Sequence, residues 1–306
     1  MSRAPVGHDW RAAADPDDLR EYDAFGPWID RVTTPAGMPR RFRPAYEELA
    51  RLGFLLKVPR NIDRAQARPG QDLYRSVLAV GADRLVSLEL APDGVRRRDV
   101  RLADVVATNV YTNLLVGVWT VFLADGTCIA VEYNTVGQAM IAHADRRVRH
   151  GSRLAGGIAG ALPGSVDPVP VPDHYFSSVL AERRAAAEEA MVPVHVESPG
   201  RPCRDDGGRR RIGTGMMAIT SPSDLVIVNR DEPARPRFRW GNYATNVLTV
   251  PFSRITGFAL TVPPAQRPPR FVRLDLQCES HTLTQPCLTV PAGVVAALRA
   301  GGIPEG

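Results

Sequence analysis

Alternating apolar and polar positions dominate the middle and the C-terminal third of the chain, and this period of two predicts antiparallel strands. The segment RLVSLEL at 84–90 is the clearest case. Gly81-Ala82-Asp83 separates it from a similar run over 73–80, and Asp125-Gly126 separates two further runs. An Asp-Gly pair between such runs is a strong hairpin signal, because glycine adopts a positive φ without strain. The pattern therefore predicts a series of hairpins.

Two segments change from strand spacing to helical spacing. The first covers 136–150 and places five apolar residues on one side, namely Val136, Met140, Ile141, Ala144 and Val148. The second covers 291–300 and is followed by Gly301, a common residue just beyond a helix end. Both follow a run of strands, so the order of elements in 83–150 recurs in the C-terminal third. Such repetition predicts two similar β-rich domains, each closed by a helix.

Changes in composition suggest where these domains begin and end. We expect residues 1–44 to form a leader with a short helix and residues 45–150 to form the first β-rich domain. Residues 151–191 hold a glycine- and proline-rich linker followed by a helix-forming run. The second domain is then expected over 192–306.

One long uncharged stretch raises the question of a membrane span. Residues 105–124 carry no formal charge, and about 20 apolar residues are enough for a helix to cross a bilayer. However, the stretch contains Asn109 and Asn113 and many β-branched and aromatic residues. We therefore predict two strands joined by a turn, with a spanning helix as the alternative. The N-terminus lacks the apolar run of a signal peptide, so a cytoplasmic location is expected, with peripheral membrane association as an option.

The overall charge is mildly basic and comes almost entirely from arginine. Lys and Arg number 38 against 33 Asp and Glu, giving a net charge of +5, and Lys57 is the only lysine. Arginine binds phosphate and carboxylate groups at two points, which suits an anionic partner. A genome that encodes arginine in place of lysine is the alternative explanation. The near balance of charge argues against a dedicated nucleic-acid-binding chain.

The arginines are grouped, and three groups form the candidate binding set for an anionic or protein partner. Its members are Arg60, Arg64 and Arg68; Arg96, Arg97 and Arg98; and Arg235, Arg237 and Arg239 with Trp240. Aromatic residues interleave the last group, so nucleic-acid binding through 235–243 is a further alternative. Ordinary solvated loops on a β domain would also explain these groups.

Motifs for catalysis are absent from the sequence. No helical His-Glu-x-x-His, Gly-x-Ser-x-Gly or phosphate-binding Gly-Lys-Ser/Thr motif occurs. Cys278, His281 and Cys287 lie close in sequence but match no zinc spacing. We therefore predict no catalytic residue, no metal and no cofactor. An enzyme with a site between the two domains, using Asp173, His174 or His281, is the alternative.

The order of strands and helices resembles the pleckstrin-homology-like (PH-like) superfold in a tandem bacterial form. The resemblance rests on the hairpins around 81–83 and 125–126 with helix 136–150, and on strands 216–290 with helix 291–300. It implies a mainly β protein with two bent sheets or partly open barrels, each closed by its C-terminal helix. It also implies binding rather than catalysis. The predicted function is a non-enzymatic adaptor that contacts a protein partner or an anionic membrane surface through arginine-rich loops, with no oligomeric state specified.

Overall fold

The structure is a computed structural model, and it describes the greater part of the chain. The described residues are 11, 14–155, 167–186, 190–200, 202–204, 210–230, 244–264 and 271–306. The predicted binding residues Arg235, Arg237, Arg239 and Trp240, and the segment 235–243 as a whole, lie outside them.

Strands form most of the regular structure, which confirms the predicted mainly β class. The helices within the described ranges are α1 (Pro16–Ala24), α2 (Tyr46–Ala50), α3 (Gln138–Ala155), α4 (His174–Ala186) and α5 (Ala292–Ala300). The strands of the first half are β1 (Asp30–Arg31), β2 (Phe54–Pro59), β3 (Tyr74–Val80), β4 (Arg84–Ala91), β5 (Gly94–Arg101), β6 (Val105–Asn113), β7 (Val116–Leu123) and β8 (Cys128–Asn134). Those of the second half are β9 (Val192–Glu197), β10 (Pro202–Arg204), β11 (Arg210–Ile212), β12 (Met216–Thr220), β13 (Asp224–Arg230), β14 (Thr245–Pro251), β15 (Gly257–Thr261), β16 (Val272–Cys278) and β17 (His281–Cys287).

The chain divides into two compact units that each combine separate stretches of sequence. The first unit contains residues 1–101 and 133–147, and the second contains residues 102–132 and 148–306. The sequence pattern instead predicts one β-rich domain in each half of the chain. The difference arises because β6, from the first half, pairs with β14, from the second half, in one antiparallel sheet.

The first unit contains a five-stranded antiparallel sheet in the order β1-β2-β3-β4-β5. The predicted hairpin around 81–83 joins β3 and β4, with the Gly81 N–H donating to the Arg84 carbonyl over 2.8 Å. One face of the sheet is buried in an apolar cluster that includes Leu55, Val77 and Leu88. The two ends of the strand order are edges, so this sheet is open rather than a closed barrel.

The second unit contains a seven-stranded sheet in the order β8-β7-β6-β14-β13-β12-β9, a three-stranded sheet in the order β15-β16-β17, and the pair β10-β11. The two larger sheets share one buried cluster. Ala218, Ile227 and Leu248 lie opposite one another on β12, β13 and β14. They belong to the same cluster as Leu274 and Leu276 of β16. This face of the seven-stranded sheet is therefore apolar at its centre.

The opposite face of the seven-stranded sheet is covered by helix α4. Met217, Val228 and Val247 point to this side, because side chains alternate between the faces of a strand. They form a separate buried cluster with Phe176 and Leu180 of α4. The sheet is thus buried on both faces over these central strands.

The uncharged stretch 105–124 forms the hairpin of β6 and β7, as predicted. Asn113 pairs with Val116 across a turn formed by Leu114 and Leu115. No helix within the described ranges is both long and apolar enough to cross a membrane.

Helix α3 starts later and ends later than the predicted span of 136–150. A short 3-10 turn precedes it, and the Asn134 side chain accepts a hydrogen bond from the Val136 N–H over 3.0 Å. Val136 is 69% exposed, so it does not belong to the apolar side of the helix, whereas Ile141 and Ala144 are fully buried there.

Candidate functional site

The predicted loop of Arg60, Arg64 and Arg68 lies in the first unit, where Arg64 is held by internal contacts. Its Nη1 donates to the backbone carbonyls of Tyr22 and Phe25 over 2.5 and 2.7 Å. Its guanidinium also lies 4.4 Å from the centre of the Tyr22 ring. These contacts attach α1 and the chain beyond it to the loop.

The two other arginines of this loop also bond to backbone carbonyls. Arg68 donates through Nη1 to Ala65 and Ala67 over 2.8 and 2.7 Å. Arg60 donates through Nη1 to the Asp72 carbonyl over 3.3 Å. Both residues are exposed. The loop therefore uses part of its hydrogen-bonding capacity to fix its own shape.

The predicted group Arg96, Arg97 and Arg98 lies on β5 and is divided between two faces of the strand. Arg97 makes a two-point ion pair with Glu48 over 2.9 and 2.6 Å and contacts Asp99 over 3.0 Å. The hydrogen bond from Arg97 lowers the pKa of the Glu48 carboxyl. Arg96 and Arg98 point to the other face, because neighbouring side chains in a strand alternate.

A cleft of about 550 Å³ opens in the second unit. We call it the carboxamide cleft after its main polar lining. That lining comes from Asn109, Tyr111, Asn229, Asn246, Thr284 and Gln285. Glu197 and Arg230 are the charged residues of the lining, and Phe271 and Leu288 are among its apolar residues.

Strand register explains why these polar side chains meet. One row of residues crosses the strands β9, β12, β13, β14 and β6, and each residue in it is paired with the next. In that order the row contains Glu197, Met216, Asn229, Asn246 and Tyr111. Residues that are directly opposite in an antiparallel sheet point to the same face. This row of the seven-stranded sheet therefore lines one side of the cleft, on the sheet face that is apolar at its centre.

Two carboxamides of the cleft bond to each other. The Asn229 Nδ2 donates to Gln285 Oε1 over 2.8 Å, which connects β13 to β17. A carboxamide has two N–H donors and one oxygen that accepts twice. Among the described residues, Asn229 therefore keeps its oxygen and a further N–H for another contact, and Gln285 keeps its amino group.

Glu197 is buried in the cleft wall, and several groups donate hydrogen bonds to it. Its carboxylate accepts from the N–H groups of Leu288 and Thr289, both over 2.8 Å, and from His195 Nε2 over 3.0 Å. Burial raises the pKa of this carboxyl, but the hydrogen bonds from His195, Leu288 and Thr289 outweigh burial, so its pKa lies below the usual value. Glu197 is thus an ionised structural acceptor, not a proton donor.

Arg230, the other charged residue of the lining, has a carboxylate partner. Its Nη2 donates to Asp173 Oδ1 over 2.6 Å, and its guanidinium lies 4.3 Å from the centre of the Tyr175 ring. Asp173 also caps α4, since its side chain accepts from the N–H groups of Tyr175 and Phe176. Asp173, considered above as a residue of an alternative enzyme, therefore has structural contacts, and His174 beside it is exposed.

The loop before β12 forms a close rim to the cleft. Gly215 has a φ of +90°, and a Cβ at this position would lie 2.9 Å from the Glu197 carbonyl oxygen. A Cβ on Gly213 would lie 2.5 Å from Leu288 Cδ1. Thr214 between them donates through its hydroxyl to the Arg230 carbonyl over 2.8 Å. Glycine at both positions lets this loop approach the cleft wall.

Cys278, His281 and Cys287 do not form a metal site together. Cys278 and His281 are paired across the β16–β17 turn, and the His281 ring nitrogen lies 2.9 Å from the Leu123 carbonyl. Burial raises the pKa of the Cys278 thiol to about 12, which disfavours the thiolate that binds metals. Over the described ranges, no three metal-binding side chains cluster.

Comparison with known proteins places the chain in no family: no protein-family model matches it, and no curated protein is significantly similar to it. The PH-like resemblance stays a prediction.

The sequence pattern did not predict the carboxamide cleft, although the sequence contains a signal for it. Asn109 and Asn246 each follow a threonine in strands that are otherwise rich in β-branched residues, within the segments TNVYTN at 108–113 and TNVLTV at 245–250. Asparagine is depleted in strands, so its position inside two of them indicates a local role.

Proposed function

We propose that this protein binds a small, uncharged, hydrogen-bonding ligand in the carboxamide cleft without converting it chemically. The observation that carries the proposal is the row of Tyr111, Asn246 and Asn229 on a sheet face whose next row is apolar. A buried apolar face needs no carboxamides for stability, since polar groups there must be hydrogen-bonded to avoid a penalty. Their presence supports recognition of a polar ligand.

The electrostatic state of the cleft favours a neutral ligand. The Glu197 carboxylate already accepts hydrogen bonds from His195 and two backbone N–H groups, and Arg230 is paired with Asp173. An ionised ligand would therefore lose water without gaining an opposite charge. A volume of about 550 Å³ also lies within the usual size of small-molecule sites.

The chemistry of the lining supports binding rather than catalysis. The residues that line the cleft in the described structure include no serine, cysteine or histidine. The base that activates a nucleophile is most often a histidine, and Glu197, the carboxylate of the lining, already accepts from His195 and two backbone N–H groups. Carboxamides at neutral pH neither gain nor lose protons, so they orient a ligand rather than transfer its protons.

A ligand panel tests the proposal. Uncharged monosaccharides, nucleosides and N-acetyl amino acid amides would be added at about 5 mM, and thermal unfolding would be followed. A ligand that binds the folded state raises the unfolding midpoint, by about 2.7 kcal/mol in free energy at 100 times its Kd. We expect one class to raise it.

Two variants test whether the ligand raises the unfolding midpoint by binding in the carboxamide cleft. Asn246→Leu removes a carboxamide from the cleft and is expected to abolish the midpoint shift. Asn61→Leu makes the same change in an exposed loop of the first unit and is expected to retain it. A panel without any stabilising class, or an equal shift in both variants, would contradict the proposal.

The adaptor function predicted from the sequence is the second candidate, and the position of β5 favours it. This strand is an edge of the five-stranded sheet, and edge strands can pair with a partner's backbone. Arg96 and Val95 on β5 are exposed, Val95 at 42%. A protein partner or an anionic membrane surface would meet both backbone and positive charge here.

Co-sedimentation with anionic vesicles at low salt tests the membrane form of this candidate. Arg96→Glu reverses one charge on β5, and Arg51→Glu reverses an exposed charge outside the predicted set. Surface attraction should fall more for Arg96→Glu and should weaken as salt is added. If wild-type protein stays in the supernatant at low salt, the membrane form is excluded. Nucleic-acid binding through 235–243 stays a prediction, and a steep salt dependence of affinity would be its signature.

A further inference from the structure

Asn109 has a side-chain oxygen that the protein itself leaves unsatisfied. Its Oδ1 is buried and has no hydrogen-bond partner within the described part of the chain. Six buried side-chain atoms share this property there, and Asn109 supplies the only one of them that belongs to the carboxamide cleft. A buried acceptor that is left unpaired has lost its hydrogen bonds to water without replacing them, which destabilises the folded state. Such a group in a native protein requires an explanation.

In the row of the sheet that contains Asn109, the residues on one side of Asn109 are all apolar. The row crosses β12, β13, β14, β6 and β7, and each residue in it is paired with the next. In that order it contains Ala218, Ile227, Leu248, Asn109 and Thr120. The first three belong to the main apolar cluster of the second unit. An apolar side chain at 109 would continue that cluster, so the asparagine interrupts the pattern at a cost to packing.

The next row along the sheet contains the other carboxamides. Tyr111 lies two residues beyond Asn109 on β6 and so points to the same face, opposite Asn246. Asn109 therefore lies between the apolar cluster and the polar row, among the residues that line the carboxamide cleft. Its unsatisfied oxygen can accept a hydrogen bond from a ligand in the cleft.

We infer that Asn109 determines ligand specificity by accepting a hydrogen bond from an uncharged N–H group, and that the ligand carries an amide. This inference rests on the proposed binding function. A buried acceptor selects a donor. A charged ammonium group is disfavoured because both charged residues of the lining already have partners. Carboxamide side chains match an amide at two points, since each presents an N–H donor beside a carbonyl acceptor in one plane.

Removing the oxygen tests the role of Asn109 before any ligand is identified. Asn109→Leu has a similar size and no polar atom, and replacing an unsatisfied buried group by an apolar one relieves its desolvation. We expect the thermal midpoint of the ligand-free protein to rise. Asn229→Leu is the matched control, because it breaks the hydrogen bond to Gln285 and should lower the midpoint. A midpoint for Asn109→Leu below that of wild type would show a structural role and overturn the inference.

A matched pair of probes tests the ligand class. N-acetylalanine N-methylamide and methyl 2-acetoxypropanoate have nearly the same shape, but in this diester both amide N–H groups are replaced by ester oxygens. Titration calorimetry should give at least tenfold tighter binding of the amide to wild type, about the effect of one well-made buried hydrogen bond. Asn109→Leu should reduce this ratio to near one.

The outcomes separate the two proposals. Equal binding of amide and ester by wild type, or an unchanged ratio in Asn109→Leu, contradicts the inference alone. Absence of binding by both probes, together with a panel of monosaccharides and nucleosides that gives no midpoint shift, contradicts the proposed function and the inference with it. A preference of wild type for monosaccharides over both probes contradicts the amide class and leaves the cleft as the binding site.

Discussion

The arginine segments of the first unit and the carboxamide cleft of the second unit differ in how far their polar groups are already satisfied. Arg64 donates to two backbone carbonyls, and Arg97 holds Glu48 at two points. In the cleft, by contrast, Asn109 has a buried oxygen without a partner in the described structure. Charge is conspicuous in a sequence, but the capacity to bind depends on which groups the fold leaves unsatisfied.

The largest expected effect concerns Glu197, a cleft residue whose carboxylate, like the arginines of the first unit, already has hydrogen-bond partners. Glu197→Gln places an amino group among donors from His195, Leu288 and Thr289. Facing donors cannot bond, so we expect a loss of about 3 kcal/mol in the free energy of unfolding at pH 7. Urea denaturation measures it. A loss below about 1 kcal/mol would show that Glu197 is replaceable.

The same residue predicts a pH dependence. The pKa of Glu197 is lowered in the folded state from its model-compound value of 4.5, so the folded protein favours the ionised form. Its contribution to stability is complete above about pH 4.5 and is lost as the pH falls through the lower, folded-state pKa. Unfolding free energies of wild type and Glu197→Gln should therefore converge in acid. A constant difference down to pH 2.5 would contradict this assignment.

A variant of Arg64 tests whether the arginines of the first unit stabilise the fold. Arg64→Ala removes two hydrogen bonds to carbonyls and the contact with the Tyr22 ring. We expect a loss of about 1.5 kcal/mol, because the group is partly exposed and its hydrogen bonds compete with water. Arg96→Ala, on the exposed face of β5, should change stability by less than about 0.5 kcal/mol. Equal effects of the two variants in urea denaturation would mean that Arg64 is not a structural residue.

The smallest effect concerns the β6–β7 turn of the second unit. Leu114 has a φ of +51° and is 68% exposed, a conformation that leucine adopts with strain and asparagine tolerates. Leu114→Asn should therefore raise stability by about 0.5–1 kcal/mol. Leu115→Asn is the control, since Leu115 is similarly exposed at 64% and is not among the residues with positive φ. A gain of the same size from Leu115→Asn would attribute the effect to lost apolar exposure rather than to strain.

Local pattern was enough to predict much of the secondary structure. The Gly81-Ala82-Asp83 hairpin and the two strands of 105–124 depend on neighbouring residues, and both are present. The pairing of β6 with β14 depends on residues about 135 positions apart, such as Val110 and Val247. Several apolar strands of this chain could pair with the free edge of β6, so the local pattern does not indicate which one does.

The candidate site was hidden for a related reason. The sequence pattern puts Asn109, Asn229 and Asn246 in or next to predicted strands, but only the register of two strand pairings shows that they face one cleft. Arginine clusters were easier to find and less informative. Sequence spacing grouped Arg96, Arg97 and Arg98, whereas the alternation of β5 divides them between two faces.

The most direct measurement of the central claim is a titration of ¹⁵N-labelled protein with N-acetylalanine N-methylamide, followed through the side-chain NH₂ signals of asparagine and glutamine. We predict saturable shifts for Asn109, Asn229, Asn246 and Gln285, which line one cleft, and no shift for the exposed Asn61. Shifts confined to the Nε–H signals of Arg60, Arg64, Arg68 or Arg96, with the four cleft carboxamides unchanged, would contradict the account.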